Sequence, residues 1–214
     1  AAALDAGKFV VAFRDAADAD HGTAKVGTVS GTDITFGAEA EFLPATGASF
    51  NSVAALSGTQ FVVAFRDGAD SGHGTARVGT VSGTDITFGL NCGLPAGAAY
   101  IISVAALSAS KFVVAYQDNA DGNHGTAKIG TVSGTDITFG AEAEFLSAGA
   151  ATDIHAAALA ADKFAVVYQD NVDSGHGTAR VGTVSGTAIP FRAEAELPSA
   201  GAAVLNSAAA IYAD

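Results

Sequence analysis

The stretch DAADADHGTAKVGTVSGTDITFG occupies residues 15–37, and close copies of it begin at Asp67, Asp118 and Asp170. The copies are about 52 residues apart, so the 214-residue chain repeats one supersecondary unit. Fold and function therefore have to be derived for one unit and then applied to all four. The period predicts a single repeat domain over residues 1–214, with repeats at 5–56, 57–107, 108–159 and 160–211 after a clipped innermost strand at 1–4.

Each repeat divides into four predicted β-strands, which we call A to D. Strands C and D alternate apolar and polar residues, as half-buried strands do. Strand B is apolar on both faces and is therefore expected to be covered on both sides. The SGTD segment between strands C and D reads as a hairpin turn in which Ser30 pairs with Ile34. The strands of the first repeat are B at residues 8–15, C at 22–30 and D at 34–42, followed by A at 51–56.

Four antiparallel strands in about 50 residues favour an all-β fold, a β-propeller built from four-stranded antiparallel blades. Strand A is rich in Ala, which suits the crowded innermost position. Pro190 in the last strand D suits an outermost edge. A β-trefoil and a parallel β-solenoid are the alternative architectures. The last strand A, at residues 205–211, is predicted either to close a four-blade ring or to meet a neighbouring blade of a larger one.

The repeat FVVAFRD…HGTA(K/R)VGTVSGTDITFG resembles β-propeller repeat proteins in general layout, and the resemblance covers the whole chain. The chain has no Trp, so it lacks both the Trp-Asp dipeptide of WD40 blades and the Trp-rich sugar pockets of several propeller lectins. The resemblance therefore implies an architecture and no particular functional residues.

Composition excludes several classes of partner. Lys and Arg number 10 against 22 Asp and Glu, and the net charge of −12 repels phosphate backbones and anionic membrane surfaces. The longest apolar runs, such as residues 98–107, are shorter than the roughly 20 residues of a membrane-spanning helix. We therefore expect neither nucleic-acid binding nor membrane insertion. The single cysteine, Cys92, allows no intrachain disulfide and no Cys-based zinc site, and it is expected to be buried and inert.

Carboxylates cluster in the loop between strands B and C of every repeat. Ca²⁺ takes six to eight oxygen ligands, so calcium is the cofactor that this loop admits. The spacing D-x-x-D-x-x-H-G does not match an EF-hand, and the same residue types also form turns by bonding their own backbone. The candidate calcium ligands are Asp15, Asp18, Asp20, Asp67, Asp70, Asp118, Asp121, Asp170 and Asp173.

A histidine ends this loop in every repeat, immediately before a Gly. One such His per blade is too widely spaced for four of them to share one zinc ion, whose ligands lie within about 2.1 Å. The alternatives are a repeated ligand-binding role and simple hydrogen bonding to the loop or to the Asp that ends strand B. The candidate ligand-binding residues are Asp15, His21, Asp67, His73, Asp118, His124, Asp170 and His176.

Strands C and D carry opposite charges that the hairpin register brings face to face. Thr23 is expected opposite Glu41. Arg77 is expected to lack a carboxylate partner, because Asn91 and Gly93 stand at the glutamate positions of the second repeat. The predicted cross-strand ion pairs are Lys25 with Glu39, Lys128 with Glu142, and Arg180 with Glu194.

Catalytic motifs do not occur: the chain has no nucleophile elbow, no phosphate-binding glycine loop and no H-E-x-x-H. Near-identical polar loops suit multivalent binding, in which weak sites act together. The sequence thus predicts a non-enzymatic extracellular binding module, lectin-like, for a glycan or a repetitive ligand at a cell or virion surface. The alternative is a structural or assembly protein, a rigid spacer or filament subunit, that works as a homo-oligomer or with further blades.

Overall fold

The computed structural model describes residues 1–45 and 47–197, which form antiparallel β-sheets joined by tight turns. The predicted all-β, antiparallel architecture is confirmed. The predicted last strand A, at residues 205–211, lies outside the described residues. Over the two described ranges, no helix has the length and apolar character needed to cross a membrane.

Each repeat supplies one set of strands. The first gives β1 (Ala2–Asp5), β2 (Lys8–Asp15), β3 (His21–Ser30), β4 (Asp33–Phe36) and β5 (Ala40–Leu43). The second gives β6 (Ala48–Ala55), β7 (Gln60–Asp67), β8 (His73–Ser82) and β9 (Asp85–Phe88), followed by β10 (Cys92–Ser108). The third gives β11 (Lys111–Asp118), β12 (His124–Ser133), β13 (Asp136–Phe139) and β14 (Ala143–Leu146). The fourth gives β15 (Ala151–Ala160), β16 (Lys163–Asp170), β17 (His176–Thr183) and β18 (Ala195–Glu196).

The strands of each sheet follow chain order, as in β1-β2-β3-β4, and β5 also pairs with β3. We call the sheets built around β2, β7, β11 and β16 the first to fourth sheets. β10 links two of them, because its start pairs with β8 and its end pairs with β11. The second and third sheets therefore share one hydrogen-bonded network, whereas the first and fourth sheets are separate.

Strand D is not the continuous strand predicted at residues 34–42. Ser30 pairs with Asp33 rather than Ile34, and the strand is interrupted after Phe36. At the interruption Gly37 approaches the next repeat so closely that an added Cβ would lie 2.6 Å from the Thr84 carbonyl oxygen. The pairing register shifts by one residue across this break. Thr23 therefore faces Glu41 as predicted, although the turn register behind that prediction was wrong.

A Phe–Gly pair fixes strand B to strand C in every repeat. The Phe112 ring lies over Gly130, where an added Cβ would be 2.2 Å from the ring. The same ring meets Phe139 of β13 edge-on, with the ring centres 5.8 Å apart. The Phe112 ring thus holds β11, β12 and β13 in register, because it packs on Gly130, which has no side chain, and on Phe139. The pairs are Phe9 with Gly27, Phe61 with Gly79, Phe112 with Gly130, and Phe164 with Gly182.

The sheets stack face to face in chain order. Phe61 and Val63 of β7 pack against the first sheet, whereas Val62 and Ala64 pack against the third. The side chains of these four residues are fully buried, which confirms that strand B is covered on both faces in the interior sheets. The innermost strands also touch, since the Val104 N–H donates to the Ser52 hydroxyl oxygen at 3.0 Å.

The stack is open in the described ranges, because the first and fourth sheets do not pack on one another. Ile34 and Phe36 on the outer face of the first sheet are each 54% exposed. Ile137 and Ile189, which correspond to Ile34 in later repeats, are 9% and 8% exposed because the preceding sheet covers them. Closure into a four-blade ring therefore stays a prediction.

Candidate functional site

The Asp that ends strand B caps the loop that follows it. The Asp67 Oδ1 atom accepts hydrogen bonds from the N–H groups of Ala69 and Asp70, at 2.9 and 3.2 Å, and starts a short 3₁₀ helix at Gly68–Asp70. Burial raises the pKa of the Asp118 carboxyl group, which caps the third loop in the same way. In each loop one oxygen of this carboxylate is thus committed to backbone. The four capping residues are Asp15, Asp67, Asp118 and Asp170.

The second Asp of each loop faces the histidine. In the first repeat His21 Nδ1 lies 3.4 Å from an Asp18 oxygen and 3.4 Å from a Glu41 oxygen. In two other repeats the same three residue types converge, with all three ligand atoms of each group within 4.8 Å of one another. We call these groups the Asp-His-Glu triads. They are Asp18, His21 and Glu41; Asp121, His124 and Glu144; and Asp173, His176 and Glu196.

The glutamates of the triads are functional candidates that the sequence reasoning did not select. Glu41 faces Thr23, and His21 lies two residues before Thr23 on the same side of β3. A cross-strand diagonal of this kind is within reach of long side chains. The signal was therefore present in the sequence, in the predicted Thr23–Glu41 pairing.

The second repeat lacks its triad. Gly93 faces Thr75 there, at the place of Glu41, so within the described ranges His73 has one carboxylate beside it, that of Asp70 at 3.2 Å. The His73 side chain is 39% exposed, against 18% for His21.

Asp20, a predicted calcium ligand, makes a different contact. Its carboxylate pairs with the Arg14 guanidinium at 2.6 Å, and the hydrogen bond from Arg14 lowers the pKa of the Asp20 carboxyl group. Of the predicted calcium ligands, the triads include Asp18, Asp121 and Asp173.

A cleft of about 280 Å³ lies between the third and fourth sheets. The Arg180 guanidinium in this cleft donates to two carbonyl oxygens, those of Arg192 at 2.9 Å and Phe145 at 2.7 Å. Glu194 accepts a hydrogen bond from the Tyr168 hydroxyl at 3.3 Å. The predicted Arg180–Glu194 ion pair is therefore corrected, because Arg180 instead bonds backbone carbonyls, one of its own repeat and one of the neighbouring sheet. The cleft is lined by Phe145, Leu146, Ser147, Ala148, Asp170, Val172, Asp173, Arg180 and Glu194.

Arg77 is the counterpart of Arg180 in the second repeat. It donates to the carbonyl oxygens of Gly89 and Phe42, each at 2.7 Å, so among the described residues it pairs with backbone carbonyls and, as expected, with no carboxylate. The lysines at this position form the predicted ion pairs. Lys25 lies 2.8 Å from Glu39, and Lys128 lies 3.4 Å from Glu142.

Cys92 is half-buried rather than buried. Its thiol donates to the Ile137 carbonyl oxygen at 3.3 Å, and burial raises the pKa of the thiol. Less thiolate forms at neutral pH as a result, and the expected inertness stays a prediction.

No protein-family model matches this chain, and no curated protein matches it. Among solved structures, it is similar to a variant of the Aleuria aurantia lectin in complex with α-methyl-L-fucoside, with a TM-score of 0.52 and 12% identity over 95% of this chain and 66% of the lectin. It is likewise similar to that lectin in complex with Fucα1-6GlcNAc, with a TM-score of 0.53 and 14% identity over 95% of this chain and 67% of the lectin. At these identities the likeness shows a shared fold. The chain spans about two thirds of the lectin's length.

Proposed function

We propose that this chain is a non-enzymatic, lectin-like protein whose sheets are blades of a β-propeller and whose ligand is a glycan. The observation that carries the proposal is the cleft between the third and fourth sheets, where Arg180 and Glu194 stand beside Phe145 and Val172. The fold shared with the Aleuria aurantia lectin supports the same proposal. The proposal includes an extracellular or cell-surface location, because glycans are displayed outside the cell and on its surface.

The lining of the cleft suits the chemistry of a sugar ring. Sugar hydroxyls donate to carboxylates such as Glu194 and Asp173, and they accept from a guanidinium such as that of Arg180. The apolar C–H face of a sugar ring can pack against Phe145 and Val172. The volume of about 280 Å³ is close to the lower end, about 300 Å³, of ordinary small-ligand pockets. We therefore assign the cleft to a single sugar residue at the end of a glycan.

The corresponding positions between the other sheets carry related polar residues. Arg77 and Asn91 stand there in the second repeat, whereas Lys128 and Glu142 stand there in the third. Repeated but unequal sites of this kind give avidity for a ligand that is displayed many times.

A glycan array probed with the labelled chain, followed by calorimetric titration of the strongest monosaccharide, tests the proposal. We expect Glu194→Ala and Arg180→Met to weaken binding at least tenfold. The control is Asp136→Asn, at an exposed hairpin of the third sheet, which should bind like the parent protein. Silence on the array contradicts the lectin function, and equal binding by Glu194→Ala contradicts the cleft as the site.

A specific observation also favours assembly as a second candidate function. The apolar outer face of the first sheet, with Ile34 and Phe36 half exposed, repeats a surface that the preceding sheet covers in every later repeat. If this face joins another copy of the chain, the native mass in solution exceeds that of one chain, and Ile34→Asp returns it to the monomer. A monomeric mass for the parent protein contradicts the assembly function.

A further inference from the structure

We infer that the three Asp-His-Glu triads are binding sites for a divalent transition-metal ion of the zinc class, one ion per triad. Each triad lies at the start of β3, β12 or β17, where the B–C loop meets the facing glutamate. The donor set is one imidazole nitrogen and two carboxylate oxygens. Imidazole together with carboxylate suits zinc, whereas Ca²⁺ prefers six to eight oxygens.

The distances fit such an ion. Ligand atoms about 2.0–2.1 Å from a tetrahedral zinc ion are separated from one another by about 3.3 Å. His21 Nδ1 lies 3.4 Å from the nearest oxygens of both Asp18 and Glu41. His124 Nδ1 lies 3.4 Å from Asp121 and 3.8 Å from Glu144. Only small side-chain shifts therefore separate these triads from coordination geometry.

The histidine nitrogen supplies an independent indication. The Nδ1 atoms of His21 and His124 are shielded from solvent and form no hydrogen bond, although each points between two carboxylates. A buried polar atom without a hydrogen bond destabilises the folded state. Coordination of a cation satisfies that nitrogen and also offsets the repulsion between the two carboxylates.

The triads do not serve to build the fold. The second sheet pairs strands B and C in the same register as the other sheets, and Gly93 faces Thr75 where a glutamate stands in the other repeats. An added Cβ at Gly93 meets no atom within 4 Å, and its φ is outside the left-handed region. Position 93 can therefore accept a glutamate that completes a fourth triad with Asp70 and His73.

Calorimetric titration of the full chain with zinc chloride, in a buffer without chelators, tests the inference. We expect three zinc ions per chain, two in His124→Ala and two in Glu144→Gln. The matched control is His73→Ala, which should keep three. Gly93→Glu should bind four. Thermal unfolding of each variant, measured alongside, verifies that it is folded.

Each of the following results overturns the inference: no saturable zinc binding, three ions in both His124→Ala and Glu144→Gln, or loss of one ion in His73→Ala. The first is the result expected if each His simply forms an ion pair with its carboxylates. Saturation of the triads by calcium but not by zinc also overturns it. No glycan enters the titration, so its outcome is independent of the proposed lectin function.

Discussion

The second and third repeats pair strands B and C in the same way and differ in the chemistry that surrounds those strands. Strand B pairs with strand C in the same register in both, with Phe61 over Gly79 in one and Phe112 over Gly130 in the other. The third repeat adds a Lys–Glu ion pair, a Tyr–Glu hydrogen bond and a complete triad. The second has none of these three features. In their place, Arg77 bridges to the Phe42 carbonyl oxygen of the first sheet.

The difference separates what the fold requires from what function can use. The second repeat has Asn91 and Gly93 where the third repeat has Glu142 and Glu144. Both glutamates of strand D are therefore missing from the second repeat. The sheet nevertheless forms, because its register depends on the Phe–Gly pair and the hairpin turn. The glutamates of the other repeats are therefore free to bind ligands, and the fold does not depend on them.

The largest expected effect tests the Phe–Gly pair that the second and third repeats share. Phe61→Ala and Phe112→Ala each remove a fully buried ring, so each should lower the free energy of unfolding by about 3–5 kcal/mol. Denaturant unfolding measures both variants. Losses that differ by more than about 1 kcal/mol would show that the two repeats are not packed alike.

The next largest effect compares the cationic side chains at the same position, Arg77 in the second repeat and Lys128 in the third. Arg77→Met leaves the carbonyl oxygens of Gly89 and Phe42 without a donor, which should cost about 2–4 kcal/mol. Lys128→Met leaves Glu142 half exposed and still bonded to the Tyr116 hydroxyl, so we expect a loss of about 1 kcal/mol. Denaturant midpoints compare the two variants. Equal losses would contradict the bridging role of Arg77.

The smallest effect at neutral pH concerns Tyr116 of the third repeat. The second repeat has Phe65 at the corresponding position and so lacks the hydroxyl group. Burial raises the pKa of the Tyr116 hydroxyl above the value of about 10 for an unfolded tyrosine, and Glu142 raises it further. The protonated Tyr116 hydroxyl therefore contributes fully to the free energy of unfolding below about pH 10. This contribution is lost as the pH rises above that value, by about 1.4 kcal/mol per pH unit.

Tyr116→Phe copies the second repeat and should remove this loss. Its free energy of unfolding should be within about 1 kcal/mol of the parent value at pH 7, and it should decline less steeply between pH 10 and 11. Urea unfolding at each pH measures the slopes. Parallel slopes for the two proteins would mean that Tyr116 ionises freely in the folded state.

The sequence predicted the fold well where the signal was local. Strand B at residues 8–15 and strand C near residues 22–30 match β2 and β3, because period-two apolar patterns and Gly turns act within a few residues. The break in strand D was missed. It depends on the approach of Gly37 to Thr84 in the next repeat, about 47 residues away, and no local pattern reports that contact.

By itself, then, the sequence determined the repeat, strands B and C of each unit, the all-β class and the polar residues of each loop. Tertiary structure alone decided that Arg77 reaches the Phe42 carbonyl oxygen of the neighbouring sheet, and that Arg180 lines a cleft between two sheets. The physical reason is that periodicity fixes the face of a strand on which a side chain lies. The partner of that side chain depends on register shifts and on how neighbouring sheets stack.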